Sequence, residues 1–211
     1  MSGPAPAGPA PAALAARKAA ARTWARNKLK GLEGRQAAGA AMAARLAALS
    51  VYRAARVVLA FAPMGCEPDI TPFLTRVLAD GKMLCLPACT GPGQMEARRV
   101  QALSALQPGA YGIAEAPGPA LAPGEIDLAV IPCLAAGADG TRLGRGAGYY
   151  DRYLPALRPE AVKVALCRAA LLRPTVPAGA LDVPMDAVLT ECGVYGELLL
   201  QKTLDNPPGF Q

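Results

Sequence analysis

The sequence contains no histidine in its 211 residues. Imidazole is the usual base of nucleophilic triads and the commonest metal ligand, so Ser-His-Asp and Cys-His catalysis and any His-bound metal are excluded. Aromatic residues make up 5% of the chain, and only Trp24 and Tyr52 fall in its basic first quarter. That is too few for a base-stacking platform, so a nucleic-acid partner is not expected. No apolar run reaches the roughly 18–20 uncharged residues that span a bilayer, and no membrane association is expected. Acidic residues are almost missing from the first 56 positions, where ten Lys and Arg stand against Glu33 alone. The local balance of +9 in a chain of net +6 leaves −3 for the remainder. Such asymmetry suits an anionic small ligand, nucleic acid, or a solvated helix face.

A second cysteine pair at metal-finger spacing is also missing. Cys85 and Cys89 stand four apart, whereas Cys66, Cys133, Cys167 and Cys192 are scattered through apolar segments. They read as reduced core residues, and a structural zinc site is not expected. Residues 1–16 are rich in Pro, Ala and Gly, without charge and without the layout of a secretory leader. They read as a flexible tail, with a transit peptide as the alternative because Arg17 to Lys30 is basic and acid-free. Residues 17–200 are expected to form one domain and 201–211 a C-terminal tail. A cytoplasmic monomer is the expected form.

With 53% hydrophobic and 18% charged residues, the chain is globular and not disordered. Alanine and leucine alternate with basic residues over 12–29 and 35–50, predicting helices broken at Gly31 to Gly34. Short apolar runs at 56–62, 82–87, 126–132, 161–167 and 186–191, with a further candidate at 94–101, predict strands. Helices are predicted at 71–80, ended by Gly81, and at 149–157. This alternation implies an α/β fold of three layers, a mostly parallel central sheet flanked by helices, with basic helices at the N-terminus. Ligands in such folds sit beyond the carboxyl ends of the strands.

One run stands where that rule places a site. After the strand at 126–132 comes Arg142-Leu143-Gly144-Arg145-Gly146-Ala147-Gly148-Tyr149-Tyr150-Asp151-Arg152. Glycines at every second position let backbone N–H groups converge on an anion, and arginine adds charge-assisted hydrogen bonds. A helix from Tyr149 would aim its N-terminus at the same anion. Asp151 suits Mg²⁺ shared with phosphates. A plain glycine-rich turn is the alternative, since the run fits neither the dinucleotide fingerprint nor the Walker pattern.

The same run resembles the RLG-x-G-x-GYYD signature of the 5-formyltetrahydrofolate cyclo-ligase, or 5,10-methenyltetrahydrofolate synthetase, family. Further landmarks follow in the family's order over roughly residues 18 to 192. They are Lys18 and Arg22, Phe61-Ala62-Pro63-Met64 with Glu67, the strand Lys82 to Pro87, Tyr111-Gly112-Ile113 with Glu115, and Leu181-Asp182-Val183-Pro184-Met185-Asp186 before Leu189-Thr190-Glu191. The resemblance implies ATP-dependent conversion of 5-formyltetrahydrofolate to 5,10-methenyltetrahydrofolate, with ADP and phosphate released and ATP and Mg²⁺ required. It implies that Lys18, Arg22 and the loop Arg142, Leu143, Gly144, Arg145, Gly146, Ala147, Gly148, Tyr149 and Tyr150 bind the nucleotide. Glu67, with Arg145 to Tyr149, would hold the folate, Asp151 and Asp182 the metal, and Arg145 and Tyr149 would act in catalysis. Phosphoryl transfer depends on positioning and charge, so a chain without histidine can carry it. The chain departs from the family's usual residues at Ala88, Ala136, Gly137 and Leu181. Those departures leave a binding module of the same fold, without turnover, as the alternative.

Overall fold

A computed structural model of the chain describes residues 11–109 and 112–196. Two alanine-rich helices come first, α1 (Pro11–Lys30) and α2 (Arg35–Ala48), followed by the short α3 (Ser50–Ala54). Helix α1 opens on proline, whose missing N–H costs nothing at a first helical position. Residues 11–16 of the expected tail are therefore helical, whereas 1–10, 197–200 and the expected C-terminal tail 201–211 lie outside the described residues. The helix expected to reach Ser50 stops at Ala48, because Leu49 is extended (φ −66°, ψ 136°) and its N–H turns back to Leu46 O.

Next come β1 (Val57–Leu59), α4 (Thr71–Ala79), β2 (Met83–Gly91) and β3 (Gln94–Val100). The segments β4 (Gln107–Pro108) and β5 (Ala114–Glu115) form a small ribbon, and β6 (Ala120–Leu121) pairs with β3. The chain continues through β7 (Leu128–Pro132), β8 (Ala135–Gly137), β9 (Arg142–Leu143), α5 (Tyr149–Tyr153), β10 (Val162–Leu166), β11 (Leu172–Arg173), β12 (Ala187–Leu189) and β13 (Val194–Tyr195). The main sheet has the order β13-β12-β10-β7-β1-β2-β3-β6. Its middle strands, β12 to β2, are parallel, and the outer pairings are antiparallel.

Strands covered on both faces are apolar on both, and β7 shows why. Leu128 and Val130 enter the core with Met42 and Leu46 of α2 and Phe73 and Val77 of α4, while Ala129 and Ile131 enter the opposite core with Ala25 and Leu29 of α1 and Tyr153 of α5. Helices, sheet and helices make the three-layer α/β architecture expected from the alternation. Two elements are shorter than expected. The last ladder bond beyond β1 is Ala60 N–H to Cys85 O, after which the chain leaves the sheet toward Pro63. Helix α5 passes into a 3₁₀ turn at Leu154–Ala156, where Pro155 cannot donate to a continuing α-helix.

Asp127 closes the amino end of the sheet. Its Oδ2 accepts the N–H groups of Arg56 at 2.6 Å and Val57 at 2.7 Å, and Oδ1 faces Arg158. Burial pushes this carboxyl up, but the Val57 and Arg56 N–H donors and the neighbouring arginines outweigh it and hold it below the ordinary carboxylate range. Its stabilisation is present above the ordinary carboxylate pKa and disappears as pH falls through the lowered folded value. Asp127→Ala is expected to cost about 2 kcal/mol, because two backbone donors lose their acceptor. Urea unfolding should show this at neutral pH, with the gap to the wild type closing in acid.

Candidate active site

The strands β1 and β7 are neighbours whose chains leave in opposite directions, β1 onward to β2 and β7 onward to β10. The gap between their carboxyl ends is the switch point where open α/β sheets bind ligands. A cavity of about 660 Å³ lies there. Phe61, Ala62, Met64 and Glu67 reach it from the segment after β1, Pro132 and Cys133 from the end of β7, and Pro87 and Cys89 from β2. Lys18, Arg22, the run Arg142 to Asp151, and Asp182 complete the wall. Every residue expected at the site therefore faces one cavity, although the sequence separates them by up to 164 positions.

The loop owes its shape to two positive-φ glycines, Gly146 at 113° and Gly148 at 72°. Gly144 serves differently, since a Cβ there would lie 2.9 Å from Arg142 Nη1. Helix α5 is five residues long, which corrects the expectation of a helix dipole aimed at an anion. So short a helix carries little macrodipole. The loop N–H groups and the basic side chains supply the positive character instead.

Those side chains are already engaged. Lys18 Nζ lies 2.6 and 2.5 Å from the two oxygens of Asp182, and Asp182 Oδ2 also accepts Gly179 N–H. Arg22 Nε donates to Gly144 O at 3.1 Å, and Arg26, one turn further along α1, donates to Arg145 O at 3.2 Å. Arg145 reaches across the cavity, placing Nη2 2.6 Å and Nε 3.2 Å from Glu67 Oε1. Glu67 is buried, and its Oε2 accepts Met64 N–H at 3.0 Å. Arg142 Nη2 donates to Asp151 Oδ1 at 2.7 Å, and Val183 N–H approaches the same oxygen at 3.4 Å. The residue after Asp182 is thereby brought against Asp151.

Two of the expected loop residues line the cavity with side chains that are themselves buried. The Leu143 side chain is buried in the core beneath the loop. The Arg142 guanidinium is 3% exposed and lies 5.7 Å from the Tyr150 ring centroid, so it acts as a pillar that fixes Asp151 and Tyr150. Its Nε is buried without a hydrogen-bond partner. Arg26, Arg152, Glu115 and Cys89 border or brace the cavity without having been assigned roles from the sequence. Arg26 continues the four-residue spacing of Lys18 and Arg22, a signal that was available. Glu115 Oε1 accepts Cys89 N–H at 3.1 Å, a contact across sheet edges that no sequence pattern announces.

Acid–base candidates are few. A hydrogen bond in which the Cys133 thiol donates to Cys167, together with burial, pushes Cys133 well up, and burial raises Cys89 and Tyr150 as well. These groups stay protonated at neutral pH, which removes them as thiolate or phenolate nucleophiles. Of the four departures from the family's usual residues, Leu181 lines the cavity, whereas Ala88 and Ala136 are buried beside it. At Gly137 a Cβ would lie 2.2 Å from Asp139 Oδ1, so the Asp139 carboxylate fills the space a side chain would take. That carboxylate accepts both the N–H and the hydroxyl of Thr141, at 3.0 and 2.6 Å, and holds the turn into β9.

A doubly covered α/β sheet with a basic, glycine-rich loop over its switch point has the layout of the open α/β folds that take small ligands at the carboxyl ends of their strands. The chain belongs to the 5-formyltetrahydrofolate cyclo-ligase family, whose profile matches residues 15–191. A 5-formyltetrahydrofolate cyclo-ligase of Mycolicibacterium smegmatis is 36% identical over 145 residues, covering 64% of this chain and 73% of the relative. The NMR structure of Aquifex aeolicus 5,10-methenyltetrahydrofolate synthetase superposes with a TM-score of 0.76 at 28% identity, over 92% of this chain and 96% of that one. A 5,10-methenyltetrahydrofolate synthetase from Mycoplasma pneumoniae shares the fold, with a TM-score of 0.68 at 20% identity over 82% and 98% of the two chains.

Proposed function

We propose that the chain cyclises 5-formyltetrahydrofolate to 5,10-methenyltetrahydrofolate at the expense of ATP. The observation that carries this reading is the set of matched charges around one cavity, in a member of a folate-dependent ligase family. Lys18 pairs with Asp182, Arg142 with Asp151 and Arg145 with Glu67. A triphosphate competes for exactly the partners that arginine and lysine offer to carboxylates. Lys18 and Arg145 turned to phosphate leave Asp182 free for a cation and Glu67 free to accept hydrogen bonds from the pterin amino and N–H groups.

In the proposed reaction the formyl oxygen attacks the γ-phosphorus and ADP leaves. N10 then adds to the activated carbon, the C–O bond breaks with release of phosphate, and the N10 proton is lost. Arg145 and the N–H groups of Gly146 to Tyr149 stabilise charge on the transferred group, Lys18 and Arg22 orient the nucleotide, and Tyr149 and Glu67 position the folate. Asp151 and Asp182 suit Mg²⁺, which takes one or two carboxylates plus phosphate oxygens and water. Both face the cavity and are joined through Val183, and no group of three or more candidate ligands occurs among the described residues. When bound, Mg²⁺ would supply charge neutralisation at the phosphates. Labelling the formyl oxygen with ¹⁸O tests the route, since the label should appear in inorganic phosphate; its loss to water would overturn the phosphorylation step.

The exchange of partners makes binding of the two substrates mutually dependent. A non-hydrolysable ATP analogue with Mg²⁺ is expected to tighten 5-formyltetrahydrofolate binding by about 5- to 150-fold, the usual range of coupling between sites. Calorimetry with and without the analogue measures it, and equal affinities would contradict the exchange. The basic face of α1 is turned inward onto the loop, which favours a small anion over nucleic acid as its partner. Free cysteines suit a reducing compartment, and we place the protein in the cytoplasm as a monomer whose working unit spans residues 17–200.

A further inference from the structure

We propose that Arg152 is a positioning residue for this reaction, a fork that ties the tip of the β2–β3 hairpin to the glycine loop. Its Nε donates to Gly93 O at 2.8 Å, and its Nη2 donates to Ala147 O. The guanidinium lies where two glycines leave room for it. A Cβ at Gly93 would fall 1.7 Å from Nη2, and a Cβ at Gly148 would fall 3.0 Å from Nη1. Both glycines also have positive φ, 70° and 72°. Positive φ disfavours a side chain at both positions, and a Cβ at either would also push the Arg152 guanidinium out of its place.

The tie has mechanical consequences. The β2–β3 pairing carries an irregularity between Cys89 and Gly91, just ahead of the hairpin tip. Cys89 and Met95 from this hairpin form part of the cavity wall, opposite Arg145 to Tyr149. Nothing in the sheet ladder fixes the hairpin tip against the loop, whereas one planar fork can satisfy two carbonyls from separate elements. A lysine cannot, because a single ammonium on a flexible stem lacks the rigid fork. Through this side chain the loop amides proposed to receive the phosphates are tied to the hairpin tip.

The kinetic part of the test rests on the reaction proposed above, and the structural part does not. Arg152→Ala is expected to raise the KM for Mg-ATP about tenfold with a change in kcat of no more than about twofold, the pattern of lost positioning and not of lost chemistry. Free guanidinium ion should restore part of the affinity, and Arg152→Lys should behave like Arg152→Ala. Gly93→Ala, outside the glycine loop, should raise the same KM, and combining it with Arg152→Ala should add nothing. Hydrogen exchange of the full-length protein without ligand should show faster exchange in Arg152→Ala at both 91–94 and 144–148. Exchange unchanged from wild type at both segments overturns the tie whether or not the protein turns over. An unchanged KM, additive effects of the two substitutions, or full rescue by lysine overturns the positioning role. A wild-type protein that makes no product but shows the paired change in exchange upon substitution supports the tie and sinks only the reaction.

Discussion

Asp151→Asn is expected to lower turnover by about 10²- to 10³-fold and to raise the Mg²⁺ concentration needed for half-maximal rate, the scale seen when a preorganised charge-stabilising group is removed. Asparagine keeps the shape and the hydrogen bond with Arg142 but removes the negative charge that attracts a divalent cation. Asp151→Ala should lose the same activity and also destabilise the fold. The Arg142 guanidinium is almost fully buried, already carries an unpartnered Nε, and relies on Asp151 as its counter-ion. Breaking a buried pair from one side costs about 3–5 kcal/mol; alanine should lose both charge and hydrogen bond and asparagine only the charge, so urea unfolding should rank alanine below asparagine where kinetics do not. A rate equal to wild type at limiting Mg²⁺ would remove Asp151 from the metal site. Equal stability of the two variants would remove the pillar role of Arg142.

Arg145→Ala is expected to have an effect of similar size for a different reason. This side chain is 45% exposed and reaches Glu67 across the cavity, so the fold does not depend on it. Its guanidinium is free to move from carboxylate to phosphate, and a positioned arginine that meets developing charge is worth about 10³ or more in phosphoryl transfer. Turnover should fall by about that factor, with a loss of stability smaller than in Asp151→Ala, since Glu67 keeps the Met64 N–H as a partner. The dependence of folate affinity on nucleotide should also weaken, because Glu67 no longer waits for Arg145 to leave. Arg145→Lys should recover part of the rate, since it retains charge but not the bidentate fork. Wild-type kinetics in Arg145→Ala would reduce the residue to a cover for Glu67.

The sequence carried these assignments unevenly. The parallel strands were visible because residues such as Leu128 to Ile131 are apolar without interruption, the mark of strands covered on both faces. The strands β8, β9 and β11 were not, since Ala135-Ala136-Gly137 and Arg142-Leu143 are too short and too small in side chain to show a period of two. The glycine loop stood out by composition, but its alternatives could be narrowed only by the ordered landmarks of the family. The direction in which Arg142 points was hidden, because a guanidinium that binds phosphate and one that props an aspartate look alike in sequence. The same holds for Asp182, an ordinary loop acid until Lys18, 164 positions away, is seen against it. A contact between distant segments, such as Arg152 with Gly93, has no local signature at all.

The most direct test of the central claim is the appearance of 5,10-methenyltetrahydrofolate, followed by its absorbance, when the full-length protein meets 5-formyltetrahydrofolate and Mg-ATP. Product is expected in step with ADP, none when ATP or Mg²⁺ is left out, and at least a hundredfold lower rate in Asp151→Asn and Arg145→Ala. Both substrates binding with no product formed would contradict the claim.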